Sequence, residues 1–448
     1  MTPLSRKQIG WYALPAIPMA LPTLPAFILL PTFYYEYAGL SLEVIGLTLL
    51  IARLIDSVSD LFAAQWCDYP LGSLGRRHGW LLVGGILAGP GLLLLFNPPT
   101  DATMLWLLGS TSLMYLGWTL IQVPYHAWLA DLASSHAQRT TLSSAREGAG
   151  LIGLVLSAAV PAMMFAVGAE TQESFSWLSV MTVVLAVALF CPLWRLPRQL
   201  QVGTSRQRWR GLFSNKLFVR LNLAWGLNGI SNGVAAVLFP LVVTIGFQGS
   251  EQDRTLLLLG YFLAALLAMP LVRQLSLQRE KHRLWCLAMA LAILAFLPVP
   301  LLEAEQFQLY LLICLVTGAT LGADLALPPA MQADLVDQDR LQQRQERPSV
   351  FFAAQSLVTK VALGIAAALA TVLVTSSSQW ISDGTTDVAR QPLLLIYAWL
   401  PCVLKAIACV LIWRYPLDRK AHLRTVRQLR ARYRHETFNP VQPDAVPV

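Results

Sequence analysis

Apolar runs of about twenty residues recur along this chain from the first tryptophan, Trp11, to Trp413, and short polar breaks separate them. Twenty helical residues rise about 30 Å, the thickness of a bilayer's hydrocarbon core. Inside hydrocarbon every backbone N–H and C=O must find a partner within the protein, so only helices and closed barrels span it. The runs are continuous rather than alternating, which selects helices. Composition agrees: 56% of the 448 residues are hydrophobic and 13% charged, against about 45–50% and about 25% in soluble domains. The chain reads as an all-α, polytopic membrane protein.

The opening "MTPLSRKQIGWYALP" has a short basic lead, but no small-residue cleavage site closes its apolar run, so it reads as a retained first span. The six cysteines are scattered, with no C-x-x-C pair and no Cys/His metal spacing, and are expected to be packing residues. The net charge of +8 does not point to nucleic acid, because of where it sits. Basic residues gather at Arg6-Lys7, Arg76-Arg77, Arg139, 195–210, 279–283, 340–347 and 414–434, and the intervening breaks carry acids. An excess of Lys and Arg marks cytoplasmic loops. The expected topology puts both termini and the central loop in the cytoplasm, in the inner membrane of a bacterium.

Hydropathy and breakers place spans at about 10–37, 42–66, 79–98, 102–131, 143–168 and 174–195, then at about 217–245, 255–276, 284–302, 307–335, 350–377 and 392–414. The expected organisation is a six-helix bundle over 1–197, a central loop over 198–216, a second bundle over 217–414 and a basic tail over 415–448. The tail contains "RKAHLRTVRQLRARYRH", expected as an amphipathic surface helix, and ends in a low-hydrophobicity stretch expected to be disordered. "PYHAWLADL" closes span four and "PPAMQADL" closes span ten, an echo that suggests duplication. Two six-span bundles joined by a long basic loop resemble the layout of the major facilitator superfamily, whose substrate sites lie near the midplane between the halves.

Span two interrupts its apolar pattern with "ARLIDSVSD". Arg53, Asp56 and Asp60 are spaced three and then four, so they share one helix face with Ser59 beside them. A charge at mid-bilayer costs about 2.5–3.5 kcal/mol on insertion scales, so these groups must face a protein interior. One reading is a structural salt bridge from Arg53. The other follows from the count: one guanidinium leaves a carboxylate over, and Na⁺ or a proton would complete the balance.

Four stretches in order resemble one branch of the superfamily, the glycoside–pentoside–hexuronide:cation symporters of melibiose-permease type. They are "ARLIDSVSDLFAAQWCD", "TLIQVPYHAWLADLASSHAQRTTLSSARE", "LPPAMQADLVDQD" and "SLVTKVALGIAAAL". The resemblance implies twelve transmembrane helices and a cation site at Asp56, Ser59, Asp60 and Thr119. It also implies a substrate path lined or gated by Arg53, Tyr125, Arg146 and Lys360. Asp68, Arg76 and Arg77 resemble the superfamily's gating motif, and Arg139 and Asp334 fall in the matching loop and span-ten motifs. Two departures stand out: no acid occurs before Tyr35, and Gln122 replaces the carboxylate expected before Val-Pro in span four. Gln122 accepts sugar-hydroxyl hydrogen bonds only in part.

Other polar residues carry paired readings. Pro15, Pro18, Pro22, Pro25 and Pro31 bend span one, either to line a cavity or as packing kinks. Asp324 is an intramembrane acid, either a substrate contact or a partner for Lys360. His126 binds substrate, carries a proton or packs. Asn228 and Asn232, one turn apart, join helices or bind ligand. Lys405 snorkels or pairs.

The expected function is symport of a small organic solute, glycoside-like by resemblance, with Na⁺ or H⁺ as coupling ion, by a monomer with no cofactor. A lysolipid or other amphiphile is the alternative cargo. No nucleophile motif, metal cluster or nucleotide loop points to an enzyme.

Overall fold

The structure is a computed structural model that describes residues 4–23, 26, 30–133, 135–166, 171–196, 209, 211–343, 347–378 and 386–438. For some residues within these ranges, Arg76 among them, the backbone alone is described.

Every regular element among the described residues is helical. The first span is not one helix. Arg6–Ala13 (α1) stops where the prolines begin, Ala16–Ala20 (α2) lasts barely a turn, and Leu30–Ala38 (α3) completes the crossing. Each proline removes an amide donor and clashes with the preceding turn, so Pro15 and Pro22, at the turns flanking α2, break the segment rather than bend it. The pieces still pack tightly: α2 lies against His136–Ala166 (α7), where a Cβ on Gly153 would stand 2.2 Å from the Ile17 carbonyl oxygen.

Leu42–Trp66 (α4) is started by Ser41, whose side chain accepts from the Val44 amide, and carries the charged stripe. Arg76–Phe96 (α5) and Met104–Leu132 (α6) pack so closely that a Cβ on Gly117 would meet the Ala88 nitrogen at 2.2 Å. Small residues allow such approaches where lipid provides no hydrophobic drive. Thr171–Phe190 (α8) closes the first bundle. The second comprises Lys216–Leu241 (α9), Glu251–Gln278 (α10), Lys281–Phe296 (α11), Phe307–Gln343 (α12), Pro348–Ser378 (α13) and Thr386–Trp413 (α14). Asn215 caps α9, and Ser250 with Asp253 forms a capping box on α10.

Among the described residues, nine helices are long and apolar enough to cross a membrane. Three further helical segments fall in the stretches where the other spans were expected. They are the proline-broken first span, α4 with its four charged residues, and α7. Burial is inverted relative to a soluble protein: Asp56, Asp60, Arg146, Asp324 and Lys405 are buried, while Leu54, Ile86, Leu267 and Val410 are 60%, 62%, 70% and 77% exposed. The polar groups face the interior and the leucines face lipid.

Two boundaries differ from expectation. Span ten runs on to Gln343, because Asp334, Asp337 and Asp339 are buried in ion pairs instead of marking an exit to water. The tail forms Arg419–Phe438 (α15), but it does not lie free on a surface. It packs on α12 and α7, with His422 fully buried. The last ten residues, Pro25 and the side chain of Pro31 lie outside the described residues. The described cysteines are free thiols; five are at least half-buried, and Cys191 is exposed rather than packed.

Candidate functional site

The span-two stripe meets a partner the sequence did not indicate. Lys360, from α13 in the opposite bundle, places its Nζ 2.8 Å from Asp56 Oδ2 and 2.9 Å from Asp60 Oδ2. Ser356, one turn earlier on α13, donates to Asp60 Oδ2 at 3.0 Å. The other oxygens face hydroxyls: Thr119 Oγ1 lies 3.2 Å from Asp56 Oδ1 and 2.9 Å from Asp60 Oδ1. Ser59 donates to the Asp56 carbonyl at 2.8 Å and lies 3.2 Å from Thr119. The four residues expected to hold a cation are therefore one cluster, with oxygens on one side and an ammonium on the other.

This corrects the charge count. Two carboxylates face Arg53, 3.8 Å from Asp56, and Lys360, so the set is neutral in this conformation without a mobile ion. Arg53 differs too: its side chain is 40% exposed and its guanidinium lies 5.0 Å over the Tyr115 ring, which leaves it a weak partner. Lys360 supplies the close contacts.

Next to this cluster, α1, α6 and α7 assemble a second polar group. Tyr12 and Tyr125 exchange bonds with each other's carbonyls, at 3.1 and 2.5 Å, and their rings lie 5.0 Å apart. Arg146, 2% exposed, donates from Nε (2.9 Å) and Nη2 (2.5 Å) to Oε1 of its chain neighbour Glu147, and its Nη1 lies 3.4 Å from the Tyr12 hydroxyl. Glu147 is a carboxylate the sequence reading quoted without singling out. Gln122 is half-buried on α6 with Thr119 and Tyr125 at the i−3 and i+3 positions. His126 reaches across the bundles to the Phe352 ring, 6.5 Å away and edge-on.

Toward the basic end of the molecule an ionic network joins the bundles. Arg77 holds Asp131 (2.7 Å) and Asp68 (2.9 Å) and donates to the Ser349 hydroxyl (2.7 Å), which in turn donates to Asp68 (2.7 Å). Arg340 crosses back to Asp131 at 2.5 Å. Arg139 holds Asp334 (3.2 Å), Asp337 (2.6 Å) and the Ala333 carbonyl (2.6 Å). Lys281 holds Asp334 at 2.8 Å, and His422 of α15 stands 3.0 Å from Arg139. Four of the five expected gating residues are thus brought together; the side chain of Arg76 lies outside the described residues. Asp131, Lys281, Asp337 and Arg340 are members that sequence reasoning did not single out, although the Ala-Asp-Leu echo contained Asp131. Arg77–Asp131 in the first bundle and Lys281–Asp334 in the second are the same contact, made by corresponding helices.

Asp324 does not join the span-two cluster, and Lys360 is not its partner. It accepts from Trp285 Nε1 (2.8 Å), Asn232 (3.2 Å) and Lys405 (3.1 Å), and Lys405 also donates to Asn228 (2.6 Å). Both carboxylate oxygens are satisfied, so the group ties α9, α11, α12 and α14 together. A cavity of about 500 Å³ lies apart from all this charge, lined by Pro18, Leu82, Ile86, Trp118, Val187 and Trp194 among others. Ile86 and Val187 face outward, which makes it a lipid-side groove in the first bundle rather than a path between bundles.

Among the described residues no three His, Cys, Asp or Glu side chains form a metal cluster. The family model described as "MFS/sugar transport protein" matches residues 11–419. An isoprimeverose transporter from Lactiplantibacillus pentosus is 22% identical over 86% of this chain and 84% of its own. A glucuronide carrier protein homolog from Escherichia coli is 20% identical over 93% and 94%. Among solved structures, a bacterial homologue of the iron transporter ferroportin, outward-facing, superposes with a TM-score of 0.70 at 14% identity over 91% of this chain and 98% of its own. The proton:xylose symporter XylE, bound to 6-bromo-6-deoxy-D-glucose, gives 0.67 at 14% over 95% and 97%. At these identities the structures establish the fold alone.

Proposed function

The chain belongs to the MFS/sugar transport protein family, integral multi-pass membrane transporters rather than enzymes, and from that premise we propose that it is a bacterial inner-membrane symporter that carries a small glycoside-like solute together with Na⁺ or H⁺. The observation that carries this reading is the Asp56–Asp60 pair of one bundle gripped by Lys360 of the other. An ammonium and a coupling cation are alternatives for the same two carboxylates. When the cation enters from the side of Thr119 and Ser59, Lys360 is no longer needed as counter-charge, and the contact between bundles loosens. When the cation leaves, the uncompensated carboxylates recapture Lys360. Binding is thereby tied to the rocking of one bundle against the other.

The ionic network supports the same cycle. Its end of the molecule carries the basic loops, which the positive-inside rule assigns to the cytoplasm. In this conformation that end is held shut by Arg77, Asp131, Arg139, Asp334 and Arg340. Arg146 lies seven residues, two helical turns or about 10 Å, above Arg139, so the polar group around it would be the floor of an outward-opening cavity.

The cargo follows from Glu147. An amphiphile is attractive only while no acid stands before Tyr35 in span one or at position 122 in span four. Glu147, hydrogen-bonded to Arg146 beside Tyr12, puts a carboxylate where a hydroxyl-rich solute needs one. Names of relatives, a transporter of isoprimeverose and a glucuronide carrier homolog, favour the same class.

The test is thermal unfolding of purified protein with glycosides and with lysolipids, each with and without Na⁺ and at two pH values. A glycoside should raise the midpoint, more so with one of the two cations, by mass action. Asp56→Asn and Asp60→Asn should abolish the cation dependence. Stabilisation by lysolipids only would refute the proposed cargo.

A further inference from the structure

Adjacent residues on a helix point about 100° apart and do not face one another. Arg146 and Glu147 nevertheless form an ion pair, because the long arginine side chain curls back along α7 to reach its neighbour. The pair is unequal. Arg146 is 2% exposed and Glu147 is 21% exposed. Both arginine bonds end on one carboxylate oxygen, Oε1. Among the described residues nothing donates to Oε2, and two of the five guanidinium N–H groups, one each on Nη1 and Nη2, meet no acceptor.

A buried guanidinium with unspent donors, held by a carboxylate that is itself about one-fifth exposed, is an anion site occupied by its own chain. Guanidinium recognises carboxylates through two parallel N–H bonds, and Glu147 now takes those positions. Arg146 stays charged at every relevant pH, whereas Glu147 can be neutralised by one proton.

We propose that Glu147 is a proton-operated plug on an anion site at Arg146, so that a carboxylate-bearing solute binds there together with one proton. The proton goes to Glu147, the freed Nε and Nη2 donors turn to the incoming carboxylate, and the pair H⁺ plus anion adds no net charge to the site. Release on the far side returns the proton to water and Glu147 to Arg146. The groups facing this site are Arg146 itself, the Tyr12 hydroxyl from α1, and Tyr125 and His126 from α6. From α10 the neighbours of Gly148 are Leu266 and Met269, which are apolar. The inference rests on the transporter reading above and names its substrate chemistry, but it does not depend on Asp56 or Asp60.

The test compares D-glucuronate with uncharged D-glucose as probes on the purified full-length protein, by calorimetry between about pH 6 and pH 8. With one linked proton, glucuronate affinity should weaken about tenfold per pH unit rise, while glucose shows no slope. Glu147→Gln, nearly isosteric, should bind glucuronate with the slope removed, and Arg146→Gln should lose it. Wild-type protein mixed with glucuronate in weak buffer should take up about one proton per anion bound, a readout that needs no variant. Failure of glucuronate to bind, preference for glucose, or a slope that survives Glu147→Gln overturns the inference. Cation-driven uptake of a neutral sugar that persists in Glu147→Gln but not in Asp56→Asn would overturn this inference and leave the symport reading intact. A Glu147-dependent slope with normal uptake in Asp56→Asn would do the reverse.

Discussion

Lys360 decides how the aspartates of α4 can behave. Removing one partner of a buried ion pair costs about 3–5 kcal/mol, and less here because the Lys360 side chain is 20% exposed. Lys360→Met should therefore lower the unfolding midpoint by several degrees, and Na⁺ or mild acid should recover much of the loss, because either cation can replace the ammonium at Asp56 and Asp60. Combining Lys360→Met with Asp56→Asn and Asp60→Asn should restore stability without added cation, as apolar or neutral replacement of a whole buried ion cluster usually does. Thermal scans of the two variants with and without Na⁺ check both outcomes. The stripe itself was legible from its three-and-four spacing, and Thr119 from the family resemblance. The Lys360 contact was not: nothing local ties residue 360 to residues 56 and 60, and the same reasoning offered Asp324 as its partner. Asp324 instead met Lys405, left unassigned because a lysine within a span can either snorkel or pair. Glu147 escaped notice since neighbours on a helix do not ordinarily pair.

At the level of helices, small residues and breakers set the architecture. A Cβ on Gly153 would lie 2.2 Å from the backbone oxygen of Ile17 and 3.0 Å from the Ala20 Cβ. Backbone cannot yield as a side chain does, so Gly153→Leu should push α2 off α7, costing about 1–3 kcal/mol or more. The expected result is a sharp drop in folded protein extracted from membranes, while Gly109→Leu, where a Cβ meets nothing within 4 Å, should extract normally. Periodicity and proline gave the helices well, apart from the first span, where the turns at Pro15 and Pro22 made separate pieces of an expected bend. Polarity misplaced the end of span ten, because buried acids in a gate look like exposed acids in a loop. The tail helix was expected, but its docking was not. Truncation before Arg419 removes His422 from Arg139 and Asp337, and also the bond from the Arg419 amide to Glu280. A cysteine placed at Gln138 should then react faster with a thiol reagent applied from the basic side, relative to the full chain.

Across the whole molecule, the two bundles are joined by charges at one end and by Lys360 at mid-depth. The matched pairs Arg77–Asp131 and Lys281–Asp334 give the two halves the same lock, as the echoed Ala-Asp-Leu motif suggested. If the basic end is cytoplasmic, a reporter fused after Val448 should be active only as a cytoplasmic reporter. The account as a whole depends on Asp56 and Asp60 alternating between Lys360 and a mobile cation. Solute uptake into proteoliposomes under an imposed inward Na⁺ or proton gradient, in wild-type protein and in Asp56→Asn and Asp60→Asn, tests that most directly. Gradient-driven accumulation in the wild type and its loss in both variants, with equilibrium exchange of solute retained in at least one, is the predicted result; accumulation that is undiminished in both would contradict it.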